Sequence, residues 1–261
     1  IGPLNRQGTI TYGPNDTTES FDFGEGRGWD GHVSGGSIKL DLGNDWQLVD
    51  RFNLTKGEAN TFGLVPNGSA TTVANVADNG ESATGAVTGT VYDGDTPIQQ
   101  IGRWVVLKDI EAFTNDLAVS KSWEDFDTSF GIYSASTKAN DWWSIGNTAY
   151  HVLQPGGELL DGIECNTDAQ GCDWNYDISS VGDASTFAVY ATGTWYATTD
   201  LSIDLGLRRE NHEVSYSVDE GLDGEITKAL EYDETKTSWT VGANYALNDT
   251  SGVFVRMNRG Y

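Results

Sequence analysis

The chain has little of what most reaction chemistry uses. Its 261 residues include two cysteines, three histidines and one methionine. No G-x-S-x-G elbow and no H-E-x-x-H pair occurs, so neither a nucleophile turn nor a zinc-protease helix is signalled. No stretch repeats apolar residues at i, i+3, i+4 and i+7, so little helix is expected. No run approaches the roughly 18 apolar residues of a spanning helix, which excludes a helical membrane protein and nothing more. Positive charge is also scarce. Fifteen Lys and Arg stand against 39 Asp and Glu, a net charge of −24. Such a surface repels phosphate backbones, so no nucleic-acid partner is expected, and its simplest role is colloidal repulsion.

What is present points to β-structure: 32 Gly, 11 Tyr, 9 Trp and 9 Phe. The clearest stretch is residues 185–210, two strands joined at Ala197-Thr198-Thr199-Asp200. Before the turn Phe187, Val189, Ala191, Gly193 and Trp195 share one face, and Ala188, Tyr190, Thr192, Thr194 and Tyr196 the other. After it Leu201, Ile203, Leu205 and Leu207 oppose Ser202, Asp204, Gly206 and Arg208. Side chains alternate along a strand, so this is a sheet with one apolar and one polar face. A greasy exterior around a wet interior suits a membrane barrel, whose strands need only about 9–11 residues each. The hydrophobic share of 38% fits that barrel and a soluble β-protein alike.

Along the chain, tight turns near 44, 123, 199 and 248 alternate with long excursions near 13–27, 61–100, 139–182 and 213–236. Short turns at one end and long loops at the other describe an outer-membrane barrel, with turns periplasmic and loops extracellular. Trp46, Trp123, Phe126, Trp195, Tyr196 and Tyr245 lie beside the tight turns, where an interfacial girdle belongs. Trp46, Leu48, Phe52 and Leu54 share an apolar face that Asp50 interrupts. About nine strands are expected, without closure. Ile1 is an unusual start and Arg259-Gly260-Tyr261 stops in mid-pattern, so a segment of a longer protein is expected.

Lys39, Asp41, Arg51, Asp204, Arg208 and Arg256 fall on the polar faces and would line the lumen, either pairing with one another or facing a ligand path. Trp142, Trp143 and Trp174 fall in an expected surface loop, where they would stack on a ligand ring or pack within the loop. Cys165 and Cys172 are separated by six residues in a polar loop. They are expected to form a local disulfide, which implies an oxidising compartment. A two-thiol metal site is the alternative, but no histidine lies nearby to complete it. Asp78-Asn79-Gly80, Asp93-Gly94-Asp95 and residues 219–223 offer oxygen ligands, none at full calcium-loop spacing. No metal, cofactor or catalytic residue is expected. His32, His151 and His212 stand in no catalytic motif, and carboxylates are too numerous to single out a glycosidase pair.

Three stretches carry a family likeness. They are W-V-V-L-K-D-I-E-A-F-T-N-D-L-A-V-S-K, F-A-V-Y-A-T-G-T-W-Y-A-T-T-D-L-S-I-D-L-G-L-R-R-E and W-T-V-G-A-N-Y-A-L-N-D-T-S-G-V-F-V-R-M-N-R-G-Y. In this order they resemble the middle of the β-barrel of a TonB-dependent outer-membrane receptor, from about Gly28 onward. The resemblance implies active uptake of a scarce ligand such as a siderophore complex, cobalamin or a saccharide. It also implies a plug domain and an energy-coupling partner in the full receptor. The chain itself shows no plug and no energy-coupling box, and it lacks the family's closing strand.

The leading expectation is therefore all-β: residues 1–261 as one segment of an antiparallel up-and-down transmembrane barrel with long extracellular loops, non-enzymatic, in a bacterial outer membrane. Its partners would be a small-molecule or metal-chelate ligand and the lipid bilayer. A soluble secreted β-domain binding carbohydrate through Trp-bearing loops is the alternative, and a hydrolase on a β-scaffold the weaker one. The first two differ in whether the apolar faces are exposed or buried between sheets.

Overall fold

A computed structural model describes residues 4, 6–77, 80–161, 163 and 175–260, the side chain of Asn147 apart. Cys165, Cys172, Trp174, Asp78 and Asn79 lie outside the described residues. Eight long strands form one antiparallel sheet: β3 (Arg27–Gly43), β4 (Trp46–Pro66), β8 (Pro97–Ser122), β9 (Phe126–Val152), β11 (Tyr176–Tyr196), β12 (Leu201–Glu220), β13 (Lys228–Asn248) and β14 (Ser251–Arg259). They pair in chain order, and β3 and β14 are left as the two open edges.

Residues paired across strands share a face, so the register shows how the sequence sorts itself. Leu40, Leu48, Val119, Phe130, Ala191, Leu207 and Trp239 form one continuous row across seven strands. The adjacent row on the other face runs Lys39, Val49, Ala118, Gly131, Tyr190, Arg208 and Ser238. Around this row no second sheet covers the apolar face among the described residues; Phe187 is 53% exposed and Leu207 56%, and a two-stranded hairpin covers that face only at the far end of the strands. A buried sandwich therefore has no counterpart here.

The tight turns stand together at one end. Gly43, Asn44 and Asp45 all adopt positive φ in the first of them, the left-handed backbone that favours Gly and Asn. Beside these turns the Trp46 and Trp123 rings lie 6.3 Å apart, and Trp123 and Phe126 5.9 Å. Lys121 reaches over both tryptophans at 5.1 and 5.3 Å. Tyr196 departs from this girdle. It lies on the polar face and donates to Asp127 at 2.8 Å.

At the opposite end the strands run far beyond a membrane's needs; β8 has 26 residues and β9 27. The expected excursions are correspondingly shorter. Residues 213–236 are mostly strand, leaving 221–227 as the connection between β12 and β13. Residues 139–152 belong to β9, so Trp142 and Trp143 sit on a strand, and β11 begins at Tyr176. Alternation fails to reveal these extensions because both of their faces meet water or other protein, so neither must be apolar. Residues 13–27 contain a strand, β2 (Thr17–Asp22), which pairs with β1 (Gln7–Tyr12).

The described residues of the stretch 61–100 also form regular structure. After β4 come β5 (Thr71–Thr72), a 3-10 turn (Val73–Asn75), β6 (Ser82–Gly85) and β7 (Val91–Asp93). With β10 (Leu160–Asp161) the last two make a small sheet in the order β10-β6-β7. Val73, Ala83, Ile98, Tyr150, Val152 and Leu160 form its core. A bulge where Ile101 pairs with Ala149 and Arg103 with Gly146 adds one residue to β9. It turns Tyr150 and Val152 to the polar side of the sheet, which Ile98 and Gln100 already face by the unbroken alternation of β8, so this module caps that side at the long-strand end. The β1–β2 hairpin packs on the other side, with Ile10 and Phe23 against Val105.

Candidate functional site

The polar face is built by position: every second residue of each strand points there, and the register aligns them. Lys39, Asp41, Arg51, Asp204, Arg208 and Arg256 all lie on it. Asp41 is largely committed to the tight turn, where it accepts from the Gly43 N–H at 2.8 Å. Asp204 is held by Thr194 and Asn244, each at 2.9 Å, with the Arg256 guanidinium at 3.6 Å.

The densest part of this face is a cluster that sequence reading divided among separate residues. The Tyr190 hydroxyl donates to Asp116 at 2.7 Å, reaching from β11 across β9 to β8. Only the missing side chain of Gly131 permits this, since a Cβ there would stand 2.1 Å from the Tyr190 ring. Arg51 approaches the other Asp116 oxygen at 3.8 Å. Arg208 pairs with Glu210 at 2.6 Å and lies over the Tyr133 ring at 5.1 Å. A groove of about 480 Å³ runs past Asp116, Tyr133, Tyr190, Thr192 and Arg208. The charges thus mostly satisfy one another, while phenol faces and guanidinium edges stay accessible.

Higher on the same face His212 accepts or donates to the Thr186 hydroxyl at 2.8 Å and meets the Tyr232 ring at 6.1 Å. Near the cap Trp143 contacts Tyr176 edge-on at 6.4 Å. Lys108 lies 5.0 Å over Trp143 and pairs with Asp141 at 2.8 Å. Aromatic rings interleaved with fixed charges therefore climb one wall from the turn end to the cap. Such a surface offers stacking and hydrogen bonding. Tyr133, Tyr176, Tyr190 and Tyr232 were not singled out as site residues from sequence; Tyr133 and Tyr190 follow from the alternation that located Arg208, whereas Tyr176 and Tyr232 fall in stretches read there as loops.

The three tryptophans separate. Trp143 faces the polar wall, as above. Trp142 faces the other way and packs within the hairpin core, its ring 5.0 Å from Tyr12 and 6.2 Å from Phe21. Adjacent strand residues point to opposite faces, so two neighbouring tryptophans cannot share a ligand. Trp174 lies outside the described residues.

The cap is tied down by Glu158, a fully buried carboxylate. It accepts from the Val87 and Thr88 N–H groups at 2.8 and 2.9 Å, from Tyr92 at 3.1 Å and from the Thr88 hydroxyl. Burial alone would push this carboxyl up, but the hydrogen bonds outweigh it and hold the pKa below the ordinary value. In the acidic connection near 221 the carboxylates serve the backbone: Asp219 accepts from the N–H groups of Asp223 and Gly224, and Asp223 from that of Glu225.

A family model described as "TonB dependent receptor-like, beta-barrel" matches residues 2–261. Two solved structures are similar. The ferric yersiniabactin uptake receptor FyuA from Yersinia pestis is 13% identical, with 98% of this chain and 47% of that one covered at a TM-score of 0.43. The ferric-catecholate import receptor Fiu from E. coli K12 is also 13% identical, with 89% and 47% covered at a TM-score of 0.33. The chain thus spans about half the length of either receptor. No curated protein matches it.

Proposed function

The chain belongs to the TonB-dependent receptor β-barrel family, and on that premise we propose that it forms part of the wall of a receptor that takes up a scarce ligand. The family's barrels belong to bacterial outer membranes, and its members are receptors and transporters, not enzymes. The observation that carries the proposal is the uncovered apolar row from Leu40 to Trp239, backed by a wall of interleaved charges and aromatic rings. In this reading the apolar row faces lipid, the turns around Asn44, Trp123, Thr199 and Asp249 face the periplasm, and the cap faces outward.

A plug and an energy-coupling protein would complete the machine. The ligand would be a siderophore complex, cobalamin or a saccharide, passing Trp143 and Tyr176 before it meets the Tyr190–Asp116–Arg208 cluster. The resemblance supplies the uptake class, and the stacking surfaces support a ring-bearing ligand.

Sidedness has a direct test in the full-length protein on intact cells. Cysteine at Asp223 should react with a membrane-impermeant maleimide, and cysteine at Thr199 should react only after the outer membrane is opened. The reverse pattern would overturn the orientation. Uptake of radiolabelled ferric siderophores, cobalamin and oligosaccharides, compared between the native protein and a Trp143→Ala variant, tests the path. An unchanged rate for whichever probe is transported would remove Trp143 from it.

A further inference from the structure

At the bulge between β8 and β9, just below the cap, the wall holds a cavity of about 300 Å³. That is the low end of the roughly 300–1,000 Å³ found for small-ligand sites. Val65, Asn67, Gly102, Trp104, Gly146 and Thr148 are among its lining residues. Val65 pairs with Gly102, and both fall with Trp104 on the polar face by the alternation of β4 and β8. The Trp104 indole lies back over Gly102, where a Cβ would stand 3.2 Å from Nε1 and 3.1 Å from the Gly146 carbonyl oxygen. Asn67 donates through Nδ2 to Gln100 Oε1 at 2.8 Å, which fixes the amide. Its side-chain oxygen, the Trp104 indole N–H and the Thr148 hydroxyl have no hydrogen-bond partner among the described residues. An acceptor, a donor and a group that is both therefore surround one aromatic ring, and no charged side chain is among the lining residues.

We propose that this cavity is a subsite for one ring of a neutral oligosaccharide. The inference rests on the uptake reading above and narrows it to one ligand class. A sugar ring presents C–H groups that lie on an indole face, and its rim carries hydroxyls that each donate and accept. Charge argues against an anionic metal chelate. The wall's cations are matched by carboxylates: Arg51 by Asp116, Lys108 by Asp141, Arg208 by Glu210 and Arg256 by Asp204. A chain of net charge −24 also repels anions at a distance. The register argues for a chain of sugars over a single one. Trp104 pairs with Ile145, and Ile145 with Tyr176, so Tyr176 stands two strands away on the same face, about 10 Å at the usual strand spacing. Trp143 lies beside it. Successive rings can thus rest on successive aromatic surfaces.

The test titrates the full-length protein in detergent, by calorimetry, with linear hexasaccharides of glucose, xylose and mannose. A uronic-acid hexasaccharide, a ferric tris-catecholate and cyanocobalamin are the contrasting probes. A neutral hexasaccharide should bind, and Trp104→Ala should weaken it at least roughly tenfold by removing the stacking surface. Trp104→Phe and Thr148→Val should each weaken it about threefold to tenfold, since each removes one neutral hydrogen bond. These two variants keep the cavity's shape, so a loss in them is not a loss of fold. Failure of every neutral hexasaccharide to bind, tighter binding of the uronic-acid chain, or binding indifferent to all three variants would overturn the proposal. Uptake of the ferric complex or cyanocobalamin with the same indifference would overturn it while leaving the uptake reading in place. A neutral hexasaccharide that binds through Trp104 but is not taken up by intact cells would support the subsite and sink the uptake reading instead.

Discussion

Replacing Gly131 with alanine should destabilise the sheet, and removing Tyr190 as well should reverse the sign. A Cβ at Gly131 would stand 2.1 Å from Tyr190 Cζ and 2.3 Å from its hydroxyl. Carbon contacts settle at about 3.5–4.0 Å, so the ring must retreat by more than about 1 Å. That retreat breaks the 2.7 Å bond to Asp116. A hydrogen bond to a charged group contributes about 1.5–3 kcal/mol. Asp116 keeps Arg51 at 3.8 Å, so the loss falls near the lower end of that range. Against it stands the conformational gain of alanine over glycine in a strand, about 0.5–1 kcal/mol. The net expectation is a loss of about 1 kcal/mol with Tyr190 present, and a gain of about 0.5–1 kcal/mol in a Tyr190→Ala background. Urea unfolding of the four proteins in detergent micelles, followed by tryptophan fluorescence, completes the cycle. If Gly131→Ala shifts stability by the same amount and sign in both backgrounds, the ring does not lie over that glycine and the cluster has been misread.

Two further outcomes follow from the separation of faces and from the cap. Trp142→Ala should destabilise the β1–β2 hairpin by about 2–4 kcal/mol because it empties a packed aromatic cluster, whereas Trp143→Ala should change stability by less than about 1 kcal/mol; proteolysis between residues 7 and 26 reads the difference. Glu158→Gln should loosen the cap, since an amide N–H then faces donors, and hydrogen exchange at Val87 and Thr88 should accelerate. The native carboxyl is depressed in the folded state, so its stabilisation is complete above the ordinary value of 4.5 and fades as pH falls through the lower folded value. Cap protection that stays constant from neutral pH to well below that value would contradict the assignment.

Legibility in this chain followed the solvents. Where one strand face is apolar and the other polar, alternation located the faces, the tight turns and the six charged residues of the wall, Arg51 and Arg208 among them. Asp50, which interrupts an apolar face in the sequence, keeps its place on that face in the sheet, opposite Ile38 and Leu117. Beyond the apolar band the same rule had nothing to read. Residues 139–152 and 213–220 are strand, yet both their faces are polar or covered, so a polar composition passed for loop. The cap was hidden for a related reason: its strands are two to four residues long and its core is assembled from β8, β9 and two separate connections.

The chain's own order of residues determined the two-faced sheet, the antiparallel succession of hairpins and the family, because each rests on spacing within a few residues. Tertiary structure decided which charges meet. Tyr190 reaches Asp116 from 74 positions away, across a strand whose Gly131 happens to leave room, and Trp142 and Trp143 part to opposite sides of the wall. Those relations depend on register between strands distant in sequence, and register is set by the whole sheet at once.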